Sequence, residues 1–501
     1  MKAPANTHII HSLLLFFLPM LLLCSCSNKI LPSGPQKYPP DQLREDYGLL
    51  RDVLEKFHPS LYWYTPKDSM DYFFDEYHKA ITDSMTEQVF GFKILGPLTT
   101  KIRCGHTSFL FSKGYSRYLA LRRLPSFPLH LKIWGDTMMV TANLNRKDPI
   151  FKRGAIIKSI NGLSAKQLSD YLFEYLPTDG YSENINYIRL SGAFPYYHRN
   201  IMGLSREYKV AYLDSNFTER MATLPAYHPA ADTLNTLTVT QVSRPGKRER
   251  KKIRLQNFRS LKIDSLNKLA VLEVNSFDDG GRLKKFFRKS FKKIKKNNTP
   301  NLVIDIRSNG GGKVNNYAHL ARYIRNTPFK VADTAAAVRK HFGGYGKYFQ
   351  MRFLNSLALF FFARKQDDGR YHFRYWEKHS FRPKKKLLFG GNVYVLINGP
   401  TFSAGTLFAH TVKGQKNVTL VGEETGGGWH GNNGLMIPYI TLPNTKLRVR
   451  MPLFRLVQHN APPKDGRGVL PDIHVPPTYE AVKKGIDLKM EKVREMIMRG
   501  M

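Results

Sequence analysis

Two stretches decide how this chain folds: Leu302-Val-Ile-Asp-Ile-Arg-Ser-Asn-Gly-Gly-Gly312 and Ile397-Asn-Gly-Pro-Thr-Phe-Ser-Ala-Gly-Thr406. Each begins in a near-continuous apolar run, the pattern of a parallel strand buried on both faces. The first run (302–306) ends in three glycines, and the second (393–397) ends in a tight turn before a helical pattern over 404–412. Ser403 stands at that strand-to-helix turn. Such a turn exposes a side chain at the carboxyl edge of the sheet, beside the positive end of the helix and its free N–H groups. A serine there serves as a helix N-cap or as a nucleophile. Gly310, Gly311 and Gly312 let backbone N–H groups come close to a substrate, so these residues and Ala404 are candidate oxyanion donors. A nucleotide-phosphate loop is excluded because Val314 follows Lys313 where Ser or Thr is needed. The dinucleotide fingerprint fails too, since its third glycine position holds Asn315.

Outward from these stretches, strands and helices alternate over 265–480, with strands at 269–274, 302–306 and 393–397 and helices at 281–296, 314–325 and 404–412. That alternation predicts an α/β sheet core in a multi-domain α/β protein. Residues 481–501 read as a C-terminal helix. Upstream, 120–260 is predicted as a β domain. It has strands at 129–134 and 137–141, an Asn161-Gly162 turn and a helix over 165–176. Two further strands are expected at 237–242 and 251–255, around a turn at Gly246, with 178–235 as a long insertion. Residues 41–115 read as a helical domain, with amphipathic spacing at Leu43, Tyr47, Leu50, Val53, Leu54 and Phe57. His58-Pro59 ends the first of its helices, and two more are expected at 69–82 and 86–98.

The 501 residues carry 78 Lys and Arg against 39 Asp and Glu, a net charge of +39. That charge makes contact with anionic surfaces plausible without meaning nucleic acid: no run interleaves bases with aromatics at a nucleic-acid motif spacing, so an anionic lipid or envelope polymer is an equal reading, and no nucleic-acid partner is expected. Three cysteines exclude a disulfide scaffold and a Cys-rich zinc module. Residues 1–25 have the order of a secretory signal, and Leu23-Cys-Ser-Cys26 resembles the lipobox of bacterial lipoproteins. Cys26 would then be lipidated and anchor the chain to a membrane through the tether 26–40. Lys29 close behind Cys26, with no acidic residue, tilts the location to a periplasm-facing site in the cell envelope. Residues 339–365 mix bases with Phe342, Tyr345, Phe353 and Phe360–Phe362. They read as a helix over the active-site mouth or as an interfacial membrane contact.

Taken together, Asp305-Ile-Arg-Ser-Asn-Gly-Gly-Gly, Thr401-Phe-Ser-Ala-Gly and Gly422-Glu-Glu-Thr-Gly-Gly-Gly resemble the C-terminal processing (tail-specific) serine peptidases, a family that includes the tricorn core. The resemblance covers 265–475. It implies a ClpP/crotonase-like αβ spiral sandwich, often with a PDZ-like domain, here 120–260 with its Gly154–Gly162 segment. It makes Ser403 the nucleophile. The tail-specific branch places its lysine base where this chain has Gly428, so a Ser–Lys dyad is not implied. The tricorn branch uses a histidine, and Lys101-Ile-Arg-Cys-Gly-His106-Thr-Ser is similar to its segment. Asp465, in Lys464-Asp-Gly-Arg-Gly-Val-Leu-Pro-Asp472, falls where that branch has a glutamate that orients or polarises the base. His410, His430, His459 and His474 read as surface or core histidines, and Cys104 as a buried structural thiol.

The expected function is therefore an envelope-anchored serine endopeptidase acting on polypeptides through an acyl-enzyme, with His106 as general base. No cofactor or metal is required. The alternatives are a non-catalytic peptide- or lipid-binding relative, or an esterase using the same groups.

Overall fold

The computed structural model describes residues 34–214, 216–232 and 245–500. The signal segment 1–25, Cys26 and the expected strand at 237–242 lie outside these residues.

The core sheet has six strands in spatial order β1 (Arg259–Asp264), β2 (Leu269–Val274), β3 (Asn301–Asp305), β4 (Asn392–Ile397), β5 (Val418–Gly422) and β6 (Ile473–His474). β1 runs antiparallel to β2, and every other neighbour is parallel. Parallel neighbours need crossovers, and the chain supplies helices α1 (Leu283–Lys296), α2 (Val314–Ala321) and α3 (Ala404–Val412). All five residues of β3 are buried, which accounts for its apolar centre, Leu302-Val-Ile304. α1 buries Leu283, Phe287, Phe291 and Ile294 at offsets of three and four and turns its lysines to solvent. These side chains join Leu302, Ile304, Val393, Val395, Leu407 and Phe408 in one hydrophobic cluster. β3 and β4 lie in register from Asn301 opposite Asn392 to Asp305 opposite Leu396, so both chains leave the sheet at the same edge.

The segment after helix Ala165–Phe173 is not an insertion. It forms a helix, Asn184–Ile201, and two strands, Glu207–Leu213 and Glu219–Pro225, that complete the β domain's sheet. Glu207–Leu213 pairs with Ile156–Ile160, and the alternation of Tyr208 and Val210 points into that domain's own cluster. The expected strand at 251–255 is instead part of a helix, Lys247–Phe258, with no buried residue. The expected helix at 86–98 is broken into Glu87–Phe90, a wider turn over Gly91–Leu95, and Gly96–Lys101.

The N-terminal helices do not form a separate core. Leu43, Tyr47, Leu50 and Phe57 share a cluster with Phe342, Phe349, Ile440, Val449 and Phe454. Asp46, fully buried, fastens this lobe by accepting from the Thr445 N–H (2.8 Å), the Thr445 hydroxyl (2.6 Å) and the Asn444 N–H (2.8 Å). Strand Ser108–Leu110 then pairs with Arg448–Arg450, carrying the N-terminal lobe onto a hairpin that lies between β5 and β6 in the chain. Among the described residues no helix is long and apolar enough to cross a membrane.

Candidate active site

The loops after β3 and β4 are tied to each other. The Phe402 N–H donates to the Asn309 carbonyl (2.9 Å), and the Thr401 hydroxyl donates to the Ile306 carbonyl (2.9 Å). Between these ties and α3, Ser403 is held at φ 52°, ψ −120°. That left-handed φ is costly for a residue with a side chain, and such strain persists only where the surroundings enforce it. Its hydroxyl makes no hydrogen bond to a described residue.

Of the three glycines, Gly311 is the one that abuts the serine. At φ +108°, a β-carbon there would stand 2.7 Å from Ser403 Cβ and 3.1 Å from the Ala404 nitrogen. Gly310 faces open space, and Gly312 packs against Asp278 instead. The Gly311 N–H donates to Asn309 Oδ1 at 2.9 Å. Ala404 opens α3, so its N–H has no intrahelical acceptor and is the free donor beside the hydroxyl.

His106 reaches this place from the other lobe, two residues before the strand that pairs with Arg448–Arg450. It is 2 % exposed, and its ring lies 4.6 Å from the ring of Phe402. Gly105 permits the approach, since a β-carbon there would meet Phe402 at 2.8 Å. Gly434, on strand Gly431–Leu435, marks the space between base and nucleophile. A β-carbon placed on it would lie 2.7 Å from Ser403 Oγ and 3.4 Å from His106 Nε2. The two atoms are therefore no farther apart than the sum of those distances, although no hydrogen bond joins them. Catalytic contacts are often this loose before substrate closes the site.

The carboxylate beside His106 is Asp179, which sequence reasoning missed. Its Oδ1 stands 3.6 Å from His106 Nδ1, within ion-pair reach but longer than a hydrogen bond. It is 4 % exposed and held by the Gly105 N–H at 2.8 Å. Asp465 does not join them. It is exposed, and it accepts from the Arg467 N–H two residues on. The reason is the turn at Gly466, whose carbonyl accepts from the Tyr181 N–H at 2.8 Å. The Asp465 loop thus braces the Asp179 loop from outside. Burial alone would make His106 harder to charge, yet the Asp179 carboxylate and the Cys104 sulfur outweigh it and hold its pKa above the ordinary histidine value. Burial works against ionising Cys104 as well, but contacts with His106 and His58 pull its thiol below the usual range.

Ser403, His106 and Gly310–Gly312 line one cavity of about 1010 Å³, with Arg189, Phe373, Trp376 and Arg450 on its walls. The other histidines stay outside it. His410 lies within hydrogen-bonding distance of the His459 carbonyl (2.9 Å), and His430 of the Pro462 carbonyl (2.7 Å).

A serine on a strained turn at a sheet edge, a helix N–H beside it, and a histidine–carboxylate pair across a cleft are the groups that serine hydrolases of the acyl-enzyme type bring together. Residues 268–475 match the sequence model of Peptidase family S41, and this match supports a serine peptidase. Among solved structures, mature CPAF complexed with lactacystin is 14% identical with a TM-score of 0.61, over 92% of this chain and 98% of that one. Mature CPAF is 13% identical with a TM-score of 0.62, over 92% and 97%. The tricorn protease, 11% identical over 92% of this chain and 37% of its own, has a TM-score of only 0.40. No curated protein sequence matches the chain.

Proposed function

We propose that the protein is an envelope-anchored serine endopeptidase in which Ser403 attacks the peptide carbonyl and His106 Nε2 takes the hydroxyl proton. Asp179, rather than Asp465, orients the imidazole and stabilises the imidazolium through Nδ1. The Ala404 N–H receives the tetrahedral oxyanion, and the Gly311 N–H becomes a second donor if it turns from Asn309. His106 then protonates the leaving amine, and water resolves the acyl-enzyme. The observation that carries this reading is the common approach of Ser403 Oγ and His106 Nε2 to the space beside Gly434.

Anchorage through Cys26, a periplasm-facing location and a PDZ-like role for 120–260 complete the reading. They rest on the lipobox-like Leu23–Cys26 and on the Asn161-Gly162 turn between two paired strands of an antiparallel sheet. Strand addition at that sheet would present an extended polypeptide to the cleft.

The test is Ser403→Ala. Turnover of a peptide substrate should fall on the order of a million-fold, and a fluorophosphonate should label Ser403 in the unaltered protein only. The unmade Ser403–His106 hydrogen bond favours a second reading, a non-catalytic peptide binder. An unlabelled Ser403 with retained peptide binding would establish that one.

A further inference from the structure

Cys104 joins His106 and Asp179 in a buried cluster, and the reaction does not account for its thiol. One ligand atom from each, Sγ, a ring nitrogen and a carboxylate oxygen, lies within 4.8 Å of the other two. All three side chains are nearly inaccessible, at 1 %, 2 % and 4 % exposure. Both ring nitrogens of His106 are buried without a hydrogen-bond partner. Nε2 faces Ser403 and Nδ1 faces Asp179, so Nδ1 is the nitrogen turned into the cluster.

We infer that this cluster is an inhibitory site for a divalent zinc-like cation, bound by Cys104 Sγ, His106 Nδ1 and Asp179 Oδ1. This rests on the reading of His106 as the base. Thiolate, imidazole and carboxylate are the donors zinc takes, at about 2.3 Å from sulfur and about 2.0–2.2 Å from nitrogen and oxygen. In a tetrahedron of those lengths the nitrogen and oxygen stand roughly 3.4 Å apart, close to the 3.6 Å between Nδ1 and Oδ1. The ligands are also buttressed as metal ligands are. The Asn433 amide donates to Cys104 Sγ (3.2 Å) and is itself fixed by the Ser60 hydroxyl (2.7 Å). The Gly105 N–H holds Asp179. His58 does not compete, because its ring nitrogens are engaged by Thr107 and the Ser60 N–H. The cation enters from the cavity that His106 lines.

Binding stops the reaction by proton placement. The metal takes the Nδ1 lone pair, and the neutral ring carries its remaining proton on Nε2. Thiol and imidazole together hold two protons before binding and one after, so one proton leaves to solvent. An Nε2–H cannot accept the Ser403 proton, and the nucleophile stays idle.

The experiment uses the full chain stripped of metal by a chelator, then titrated with Co²⁺ and, separately, Zn²⁺. Cobalt should bind once at this site and give a thiolate-to-cobalt charge-transfer band, whether or not the chain proves to be a peptidase. Cys104→Ser should abolish the band. Outer partners of a metal site are worth about 10- to 100-fold in affinity, so losing this ligand should raise the zinc concentration for half-inhibition at least about 100-fold, relative to the variant's own metal-free rate. If C104S does not fold, Asp179→Asn should weaken cobalt binding by a similar factor. A charge-transfer band unchanged in C104S, no band in the unaltered protein, or cobalt binding with no loss of turnover under zinc would each overturn the proposal.

Discussion

Gly434→Ala adds one methyl group, and the structure says where it goes. The new carbon would stand 2.7 Å from Ser403 Oγ, 2.8 Å from Asn432 Oδ1 and 3.4 Å from His106 Nε2. A carbon–oxygen contact in a packed protein needs more than 3 Å, so the hydroxyl must move by several tenths of an ångström or the strand must retreat. Gly434 is not in the left-handed region, so its backbone accepts alanine, and the position is only half buried. The cost to folding is thus that of a crowded cavity wall, about 1 kcal/mol. The cost to catalysis is larger, because a misplacement near 1 Å is worth about 100-fold. We expect kcat/KM on a peptide substrate to fall by about 100- to 1,000-fold, roughly 3–4 kcal/mol of transition-state stabilisation. Fluorophosphonate labelling of Ser403 should slow in parallel, and the thermal midpoint should move only a few degrees. Gly48→Ala, in the helix Pro40–Phe57 and off the cleft, is the matched control, since a β-carbon there meets nothing within 4 Å and turnover should stay near the unaltered rate. Turnover of G434A within about threefold of the parent would refute the placement of nucleophile and base on either side of this strand.

Three further outcomes follow from the same geometry. Asp179→Asn should cut kcat by about 1,000- to 10,000-fold with little change in KM, as loss of an orienting carboxylate does elsewhere, whereas Asp465→Asn should leave kcat within a few-fold; steady-state kinetics separate them. His198 is buried against Phe127, Phe194 and Tyr208, and that burial pushes its pKa down to about 4. Its folded pKa lies below the unfolded value of about 6.5, so the unfolded chain binds the proton more readily. Stability should fall as pH drops from about 6.5 to about 4, by roughly 3 kcal/mol in all. Denaturant midpoints at pH 7 and pH 4.5 should converge in His198→Leu more than in the parent. Asp46→Ala leaves three donors of Asn444 and Thr445 without their acceptor and should cost about 3 kcal/mol, read as a lower melting point and faster proteolysis of the N-terminal lobe.

The core was legible because its constraints are local. A strand buried on both faces must be apolar throughout, and a turn that brings backbone to a serine must be glycine, so both loops announce themselves in consecutive residues. Asp179 had no such signal. It lies in an unremarkable Thr-Asp-Gly turn, and its role comes from the Gly105 N–H and from a turn at Gly466 far along the chain. Asp465, in a patterned segment, drew the orienting role, whereas its loop braces the Asp179 loop from outside. The helix at Lys247–Phe258 was misread because Lys-Ile-Arg-Leu alternates like a strand, and with no buried face nothing in the pattern selects the helical period. The strands after residue 206 were overlooked because an insertion was expected there, although Glu207-Tyr-Lys-Val alternates as a half-buried strand should.

The division of the site between lobes has a consequence for how it is assembled. Ser403 and its oxyanion donors are fixed by hydrogen bonds between two loops of one sheet, and the Phe277 N–H, which donates to the Gly311 carbonyl, adds a tie from the segment after β2. His106 has no hydrogen bond of its own. Its position depends on the pairing of Ser108–Leu110 with Arg448–Arg450, on the hydrophobic cluster shared between the lobes, and on Asp46. Nucleophile and base therefore answer to different stabilities. A disturbance that loosens the N-terminal lobe removes the base while leaving the strained serine in place, whereas one that melts the sheet removes both. Loosening the lobe that carries His106 should consequently abolish activity while the sheet that holds Ser403 stays folded.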